Sequence, residues 1–543
     1  MPTGDSPDEM GATDRANGTA FSQGSSPQCR SAGRRPERAS RPRYPFFRQA
    51  LNALSILLTL LIAIPTRTRA ALPHVEQLAP GVFAAGFADR YGSANCGWVA
   101  TGDRTLLIDL PHGIGAGEFL AEVEKSTGKP PRSFVLTRAH ETDAEFIAAL
   151  RQRGLRQIAT ANERGAIGDT TTPVEFIPYG KVCGQIGGAV FLPQAKVLFA
   201  GPASVNGPRV KLPGSDVTGW ISTLASLRKL DSARVVPGFG SWSDSSILER
   251  QRLLLSEVRR QVAYQVALAI PLAQVEKEIV LPASFFAWMP YDTPAAEDIR
   301  WLYRELTVPR APYYDQTPSK NDARPHALVL IGDRPHEPEH LEQGLRPVFE
   351  ATGVVPHFLF DPRGLTAENL ARVKLLVMLR DGYIFPEGKG VMWMTDEQQR
   401  AVVEFVEGGG AFLNLHNSMG LYPDNGPYLK LVGGRYIGHG PLERFRTEVV
   451  DPNHPITRGV KDFFTADEQH TPPYDTNKVH LLLRNRSDDG KTVAAAGWAY
   501  EPGRGRLCHL ANGHTRDALN HPMYQLLMRN AVNWCLRRDS ETK

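Results

Sequence analysis

The histidines of this chain are concentrated towards its carboxyl end, where eight of the fifteen lie between positions 416 and 521. Imidazole and carboxylate side chains gathered from separate loops can bind a divalent metal such as zinc, or act as general acid and base. The sequence alone leaves both uses open. We predict three catalytic residues, His416, Glu468 and His514. We predict five substrate-binding residues, His439, Asn417, Ser418, Asp467 and Arg506.

The elements around His416 make it the leading candidate. Thr395 and Gln398 form a capping box that begins a predicted helix, three glycines end that helix, and the strand-like run AFLNLH follows. This alternation of strands and helices predicts a mainly parallel, doubly wound sheet, in which ligands bind beyond the carboxyl ends of the strands. His416 is therefore expected to border the ligand site. Earlier strand-like runs lie at 326–332, 356–361 and 374–379.

Several of these side chains also have a purely structural interpretation. His454 precedes a proline and can close a turn, while His480 and His509 lie inside strand-like runs where packing alone explains them. Ser418 could serve as a nucleophile only with a base close by. The GRGR segment that contains Arg506 could equally be a solvated turn.

Five short strings in this region stand in the order of a known family. Together they resemble the trehalose-utilisation (ThuA-like) family, a branch of the class I glutamine-amidotransferase-like fold, over nearly all of 326–538. The resemblance implies a flavodoxin-like parallel sheet and a small-molecule sugar ligand. Amidotransferases carry a nucleophilic cysteine where this chain has the turn after His416, and its absence disfavours thiol-based glutamine hydrolysis. The strings are EGGGAFLNLHNS (407–418), GGRYIGHG (433–440), DPNHPI (451–456), ADEQH (466–470) and GRGRLCHLANGH (503–514).

The first half resembles the metallo-β-lactamase superfamily through four ordered blocks, which implies an αββα sandwich. In that family the second block supplies ligands to zinc ions that activate water. Here only His140 keeps its type, and Arg138 places a fixed positive charge at the first ligand position. Pro202 and Phe239 stand at two later ligand positions and offer no lone pair. The blocks are NCGWVATGDRTLLIDL (95–110), VLTRAHETDA (135–144), VFLPQAKVLFAGP (190–202) and VVPGFG (235–240).

Two interpretations of the first half follow from these departures. We favour a structural or binding domain that kept the fold and lost the chemistry, so that metallo-β-lactamase-type hydrolysis is not expected. In the alternative, His140, Asp143 and Cys183 form a rearranged single-metal site that hydrolyses a lactone or a thioester. A catalytic zinc would need all three as ligands in a tetrahedral array.

Composition divides the chain into five segments. Residues 1–45, rich in Ser, Gly, Pro and Arg, are predicted to be a disordered leader. Residues 46–70 hold an apolar run with arginines before it, and are predicted to be a signal peptide or an uncleaved signal anchor. We therefore expect an exported protein, periplasmic or extracellular, that contacts a membrane only through this segment. The rest comprises a degenerate metallo-β-lactamase-like domain at 71–312, a proline-rich linker at 313–325 and a ThuA-like domain at 326–540.

The net charge of the body gives no argument for a nucleic-acid partner, and we expect none. The whole chain carries +4, but its first 70 residues hold ten arginines and five acidic residues, so the remaining chain carries −1. Phosphate binding needs a basic face, and here the excess lies in the leader. Removal of the leader leaves four cysteines, whose pairing the sequence leaves open: Cys96, Cys183, Cys508 and Cys535.

These observations lead to two functional hypotheses. The first is a hydrolase or isomerase that acts on sugars or sugar derivatives through a His/Glu site in the C-terminal domain. The alternative is a non-catalytic exported carbohydrate-binding or assembly protein, built from two domains derived from enzymes.

Overall fold

The computed structural model describes residues 74–86, 94–112, 114–138, 143–158, 165–167, 172–207, 209–285, 293–307 and 323–538. The predicted leader, the predicted signal segment, His140 and most of the predicted linker lie outside these ranges. Within them, no helix is both long enough and apolar enough to cross a membrane.

Two sheets face each other in the first half of the chain. One has six strands in sequential order, and the other has five in the order β11-β10-β9-β8-β7. The first comprises β1 His74–Ala79, β2 Val82–Gly86, β3 Cys96–Thr101, β4 Arg104–Ile108, β5 Pro131–Val135 and β6 Arg156–Gln157. The second comprises β7 Gly165–Ala166, β8 Glu175–Val182, β9 Gln185–Leu192, β10 Val197–Asn206 and β11 Arg234–Gly240.

Helices cover the outer faces of both sheets. They are α1 Ala116–Thr127, α2 Ala144–Gln152, α3 Val217–Leu227, α4 Ser246–Ala267, α5 Leu272–Glu278 and α6 Ala296–Thr307, with a 3₁₀ turn at Ala283–Phe285. Because side chains alternate along a strand, Leu106 and Ile108 pack between the sheets, whereas Leu107 packs beneath α1 with Phe119. The predicted αββα sandwich is confirmed.

The second half is built on one nine-stranded sheet of order β13-β12-β14-β17-β22-β21-β20-β18-β19. Its strands are β12 His326–Ile331, β13 Val355–Leu359, β14 Leu375–Leu379, β17 Ala411–Leu415, β18 His439–Val449, β19 Phe463–His470, β20 His480–Ser487, β21 Val493–Tyr500 and β22 Arg506–Leu510. A separate hairpin pairs β15 Tyr383–Ile384 with β16 Val391–Met392. The helices are α7 Pro338–Thr352, α8 Ala367–Leu370, α9 Asp396–Glu407, α10 Pro427–Val432, α11 Arg516–Asn520 and α12 Pro522–Cys535, with 3₁₀ turns at Pro362–Gly364 and Pro455–Thr457.

The two faces of this sheet bury separate cores. Along β12, Val329 and Ile331 pack into the core that contains α7 and α12, while Leu328 and Leu330 pack into the core beneath α9 and α10. A strand buried on both faces reads as a continuous apolar run, which is why HALVLI shows no alternation. The doubly wound architecture predicted from the sequence is confirmed, as is the capping box of Thr395 and Gln398 at the start of α9.

The sheet is less parallel than predicted. β13, β12, β14, β17 and β22 run parallel, but β21, β20, β18 and β19 extend the sheet as an antiparallel series. This series comes from residues 439–500, whose strands follow one another through turns rather than through helices. Antiparallel strands need only short connections, whereas parallel strands need a crossover.

The two halves share one core within the compact unit formed by residues 70–543. Helix α4 packs against α7, and Arg259 on α4 is buried between Glu339 and Glu342 of α7, with nitrogen–oxygen distances of 3.2 and 2.9 Å. A buried guanidinium held by two carboxylates fixes one orientation of the two helices. All four cysteines that follow the predicted leader are free thiols.

Candidate functional site

Polar side chains follow the carboxyl ends of four parallel strands of the nine-stranded sheet. Asp333 and His336 follow β12, Asp381 follows β14, His416 follows β17 and His514 follows β22. The end of β19, which carries Glu468 and His470, reaches the same edge through the antiparallel extension. This is the edge at which ligands bind in open α/β sheets.

Four of these side chains form a candidate metal centre. One ligand atom from each of His336, His416, Glu468 and His514 lies within 4.8 Å of all the others. The His336 Nε2–His514 Nδ1 distance is 2.9 Å, and the two carboxylate oxygens of Glu468 lie 3.3 Å from His514 Nδ1 and 3.5 Å from His416 Nε2. A tetrahedral zinc site with ligands at about 2.1 Å has ligand–ligand separations of about 3.4 Å. The four residues therefore fit a zinc-sized divalent ion.

Asp333 fixes the orientation of His336. Its Oδ1 accepts hydrogen bonds from His336 Nδ1 at 2.7 Å and from the His336 amide at 3.0 Å. Its Oδ2 accepts from Asn417 Nδ2 and from the Asp381 amide, each at 2.8 Å. With its proton on Nδ1, His336 presents the Nε2 lone pair to the centre. Carboxylates commonly hold metal-binding histidines in this way.

His416 is held by the backbone and is completely buried. Its Nδ1 donates to the carbonyl of Ala511 at 2.8 Å, so Nε2 carries the lone pair. That buried Nε2 has no hydrogen-bond partner in the structure, and an ion at the centre would satisfy it. His416 has a φ of +49°, a left-handed conformation that a non-glycine residue rarely adopts and that often marks a functional position.

Glu468 and His514 are positioned through Asp467. The Asp467 carboxylate accepts hydrogen bonds from the amides of Gly513 at 2.8 Å and of His514 at 3.1 Å. This ties the loop after β22 to strand β19, which carries Glu468. Asp467 is itself buried and faces these amides.

The electrostatics of the centre favour a cation. Burial, and then the neighbouring His336, lower the pKa of His514 to about 4. Burial opposes ionisation of Glu468, but the surrounding His416, His470 and His514 outweigh it and hold the pKa of Glu468 well below its usual range. At neutral pH the site therefore offers a neutral His514 and an ionised carboxylate, which are the protonation states that bind metal.

A second pair of histidines lies on the outer side of Glu468. His439 Nε2 is 3.5 Å and His470 Nε2 is 3.4 Å from Glu468 Oε2. His439 and His470 are direct cross-strand neighbours on β18 and β19, and a register shift follows His439. His439 is 31% and His514 23% exposed, whereas Glu468 is 16% and His470 1% exposed, so the site is most accessible beside His439 and His514.

The structure brings some predicted residues to this site and not others. His416, Glu468, His514 and His439 converge as described. Asn417 is buried and supports Asp333. The prediction that Ser418 and Asp467 contact substrate is corrected, because both side chains are buried and form hydrogen bonds within the domain. Ser418 Oγ accepts from the Arg380 amide at 3.1 Å. Asp467 accepts from the amides of Gly513 and His514.

The prediction that Arg506 binds substrate is also corrected. It begins β22, at the end of the strand opposite His514, and its guanidinium donates to Glu501 and to the Trp534 carbonyl. A strand of five residues is about 16 Å long, which places Arg506 at the opposite end of the parallel strands from His514. His454 and His480 stack on each other away from the site, and His509 is buried against Trp498, in keeping with packing roles.

Sequence reasoning missed His336, Asp333 and, as a site residue, His470. The signal for the first two was present, because the string GDRPH directly follows the strand HALVLI. The rule that directed attention to the residue after AFLNL applies equally to this strand. His470 lies two residues from Glu468 and so shares its face of the strand.

The corresponding region of the first half shows no metal cluster among the residues that the structure describes. The Cys183 thiol lies 3.7 Å from the Pro202 carbonyl, and burial raises its pKa to about 12, so it stays protonated. Asp143 faces His112 instead, with 3.6 Å between Oδ1 and Nε2. His140, the third ligand of the alternative single-metal site, lies outside the described residues, so that alternative stays a prediction.

The fold and the site thus define an α/β protein with a histidine–glutamate cluster at the carboxyl edge of its C-terminal sheet. Residues 326–535 match the family model described as trehalose utilisation, ThuA. The ThuA-like resemblance of the C-terminal half is confirmed. The comparison with curated proteins gives no match.

Solved structures are similar to each half. A ThuA-like protein from Parabacteroides merdae is 15% identical, covers 39% of this chain and 90% of its own, and has a TM-score of 0.33. One from Bacteroides uniformis is 18% identical, with coverages of 40% and 94% and a TM-score of 0.32. The N-terminal region is similar to a metallo-β-lactamase from Pontibacter korlensis, at 20% identity, coverages of 34% and 98% and a TM-score of 0.29. At these identities the likeness concerns the fold alone.

Proposed function

We propose that the C-terminal domain contains a divalent-metal site and acts on sugars or sugar derivatives through it. The observation that carries the proposal is the convergence of His336, His416, Glu468 and His514 from four separate segments onto a space of ion size. The family description of trehalose utilisation supports sugar as the substrate class. A buried carboxylate is costly without a partner of opposite charge, and a cation between Glu468 and these imidazoles would supply one.

Each residue has a distinct part in this proposal. His336, His416 and His514 hold the ion, and Asp333 and the Ala511 carbonyl orient two of them. His416 is too deeply buried to exchange protons with a substrate, so we assign it a ligand role instead of the acid–base role predicted from the sequence. Glu468 supplies negative charge, and its outer oxygen faces the opening beside His439. A bound divalent ion would polarise a carbonyl or acidify a water molecule.

One observation favours the non-catalytic alternative. Four protein ligands complete a tetrahedral zinc site, and closed sites of this kind are usually structural. If all four bind, the domain would be a metal-stabilised carbohydrate-binding or assembly module. The opening beside Glu468 and His439 argues for the catalytic role, because it leaves the carboxylate reachable from solvent.

Metal analysis of the purified full chain tests the proposal. We expect at least one zinc or manganese ion per chain after metal loading and desalting, and its loss in His416→Ala. His480→Ala is the matched control, because His480 pairs with Asp451 outside the site. Calorimetric titration of loaded protein with disaccharides and oxidised sugars should then give heat that disappears with the metal. A chain that retains no metal contradicts the proposal, and a loaded chain that binds sugars but turns none over selects the non-catalytic alternative.

A further inference from the structure

The two oxygens of Glu468 face different groups of histidines. Oε1 lies 3.3 Å from His514 Nδ1, on the inner side of the site. Oε2 lies 3.5 Å from His416 Nε2, 3.5 Å from His439 Nε2 and 3.4 Å from His470 Nε2. A single ion at the inner centre uses His336, His416, Glu468 and His514, and leaves the approach of His439 to the outer oxygen unexplained.

The proton positions make this approach unfavourable without a cation. His439 Nδ1 lies 2.6 Å from the Gly440 carbonyl, which can only accept, so His439 Nδ1 carries a proton, and in the neutral ring Nε2 presents a lone pair towards Oε2. His416 does the same through its bond to Ala511. Two lone pairs thus face one carboxylate oxygen, and His470 either donates to that oxygen through Nε2 or, with its proton on Nδ1, presents a third lone pair. The Nδ1 of His470 is buried without a partner.

We propose that Glu468 bridges two cations, the second being held by Glu468 Oε2, His439 Nε2 and His470 Nε2. This inference rests on the proposed function, because it extends the same centre. A carboxylate that offers one oxygen to each of two ions is a recurrent feature of two-metal sites, in which the ions lie about 3.5–4 Å apart. Imidazole and carboxylate ligands suit zinc and, with more oxygen, manganese.

The second ion would face the opening of the site. His439 is the most exposed of the five histidines around Glu468, at 31% against 23% for His514. The Tyr436 ring stands beside His439, 6.0 Å from His439 and 5.0 Å from His470 between ring centroids. Three protein ligands leave at least one coordination position open. That position would take a sugar oxygen, and two open positions would take an adjacent hydroxyl–carbonyl or diol pair.

Metal stoichiometry of the full chain separates this inference from the proposed function. After saturation with Mn²⁺ and desalting, we expect two ions per chain in the wild type and in the control His480→Ala, and one in His439→Ala. Two manganese ions bridged by one carboxylate should also give an exchange-coupled electron paramagnetic resonance signal, which His439→Ala should convert to the six-line signal of an isolated ion.

Each other outcome has a definite meaning. One ion per wild-type chain, unchanged in His439→Ala, would overturn the two-cation site and leave the proposed function standing. No ion in the wild type would overturn both. Two ions that persist in His439→Ala would overturn the assigned ligands. The conservative His439→Gln and the circular dichroism spectra of all variants exclude misfolding as the cause of a lost ion.

Discussion

The Asp333 carboxylate accepts a hydrogen bond from His336 Nδ1 at 2.7 Å and thereby points His336 Nε2 at His514 Nδ1, 2.9 Å away. Burial opposes ionisation of Asp333, but the charge and the hydrogen bond of His336 lower the pKa of Asp333, and Asn417 adds a further bond. Burial alone would lower the pKa of His336, but the charge of Asp333 outweighs burial and raises it. Asp333 therefore acts on the metal centre through its neighbour, as a positioning residue.

Asp333→Asn should weaken metal binding about 10- to 100-fold, the usual effect of removing a partner of a ligating histidine. Competition with a coloured chelator measures the affinity. Asp451→Asn is the control, since it alters a histidine–aspartate pair of similar length, 2.8 Å, at an exposed site. Equal affinities of the two variants would show that Asp333 does not orient a ligand.

Gly513→Ala should displace His416, against which Gly513 packs. Gly513 has a φ of +140°, and a Cβ there would lie 3.3 Å from the Cβ of His416. We expect a cost of about 1–3 kcal/mol in stability from the backbone alone, together with weaker metal binding because His416 must shift. The comparison is Gly490→Ala, which has a φ of +71° but open space around its Cβ. If both variants bind metal like the wild type, the packing of Gly513 on His416 has no role in the site.

The paired histidines His326 and His357, on the neighbouring strands β12 and β13, should make stability depend on pH. Burial, and then His326, lower the pKa of His357 to about 4. An unfolded histidine titrates near pH 6.5, so the unfolded chain binds more protons between these values. This contribution to stability is complete above about pH 6.5 and is lost as the pH falls towards 4, with a magnitude on the order of 2–3 kcal/mol.

Thermal unfolding of the metal-free protein from pH 7 to pH 4.5 checks this dependence. The fall in Tm should be smaller in His357→Gln than in the wild type, whereas His480→Gln should fall as the wild type does. A wild-type slope in His357→Gln would assign the acid sensitivity to other groups.

Arg259→Ala should loosen the junction of the two halves. The substitution leaves the buried Glu342 with Arg346 as its remaining ion-pair partner, at a cost of about 3 kcal/mol. We expect a lower Tm and separate calorimetric transitions for the two halves. Arg252→Ala, which removes a partly exposed pair with Glu249 on α4, should cost less than about 1 kcal/mol. A single transition at the wild-type temperature would mean that the shared apolar core alone holds the halves together.

Local sequence signals predicted the fold well where they were strong. The apolar run HALVLI and the Thr395 capping box each specify one structure, and both appear as expected. The antiparallel extension was not predicted, because strand direction depends on the connections rather than on the composition of β18 to β21. Glu468 reaches the site only through that long-range pairing.

The site was predictable in part for a similar reason. His416 and His514 end parallel strands, and a topological rule places such residues together without knowledge of the coordinates. Arg506 was misplaced because nearness to His514 along the chain was taken as nearness in space, although a strand separates the two. His336 was missed because it lies about eighty residues before the histidine-rich region at 416–521.

The central claim is that His336, His416, Glu468 and His514 hold a divalent ion. Anomalous diffraction at the zinc absorption edge, from crystals of the full chain grown with zinc, tests it most directly. We expect a peak about 2.1 Å from His336 Nε2, His416 Nε2 and His514 Nδ1. Zinc peaks elsewhere on the protein, with none between these residues, would contradict it.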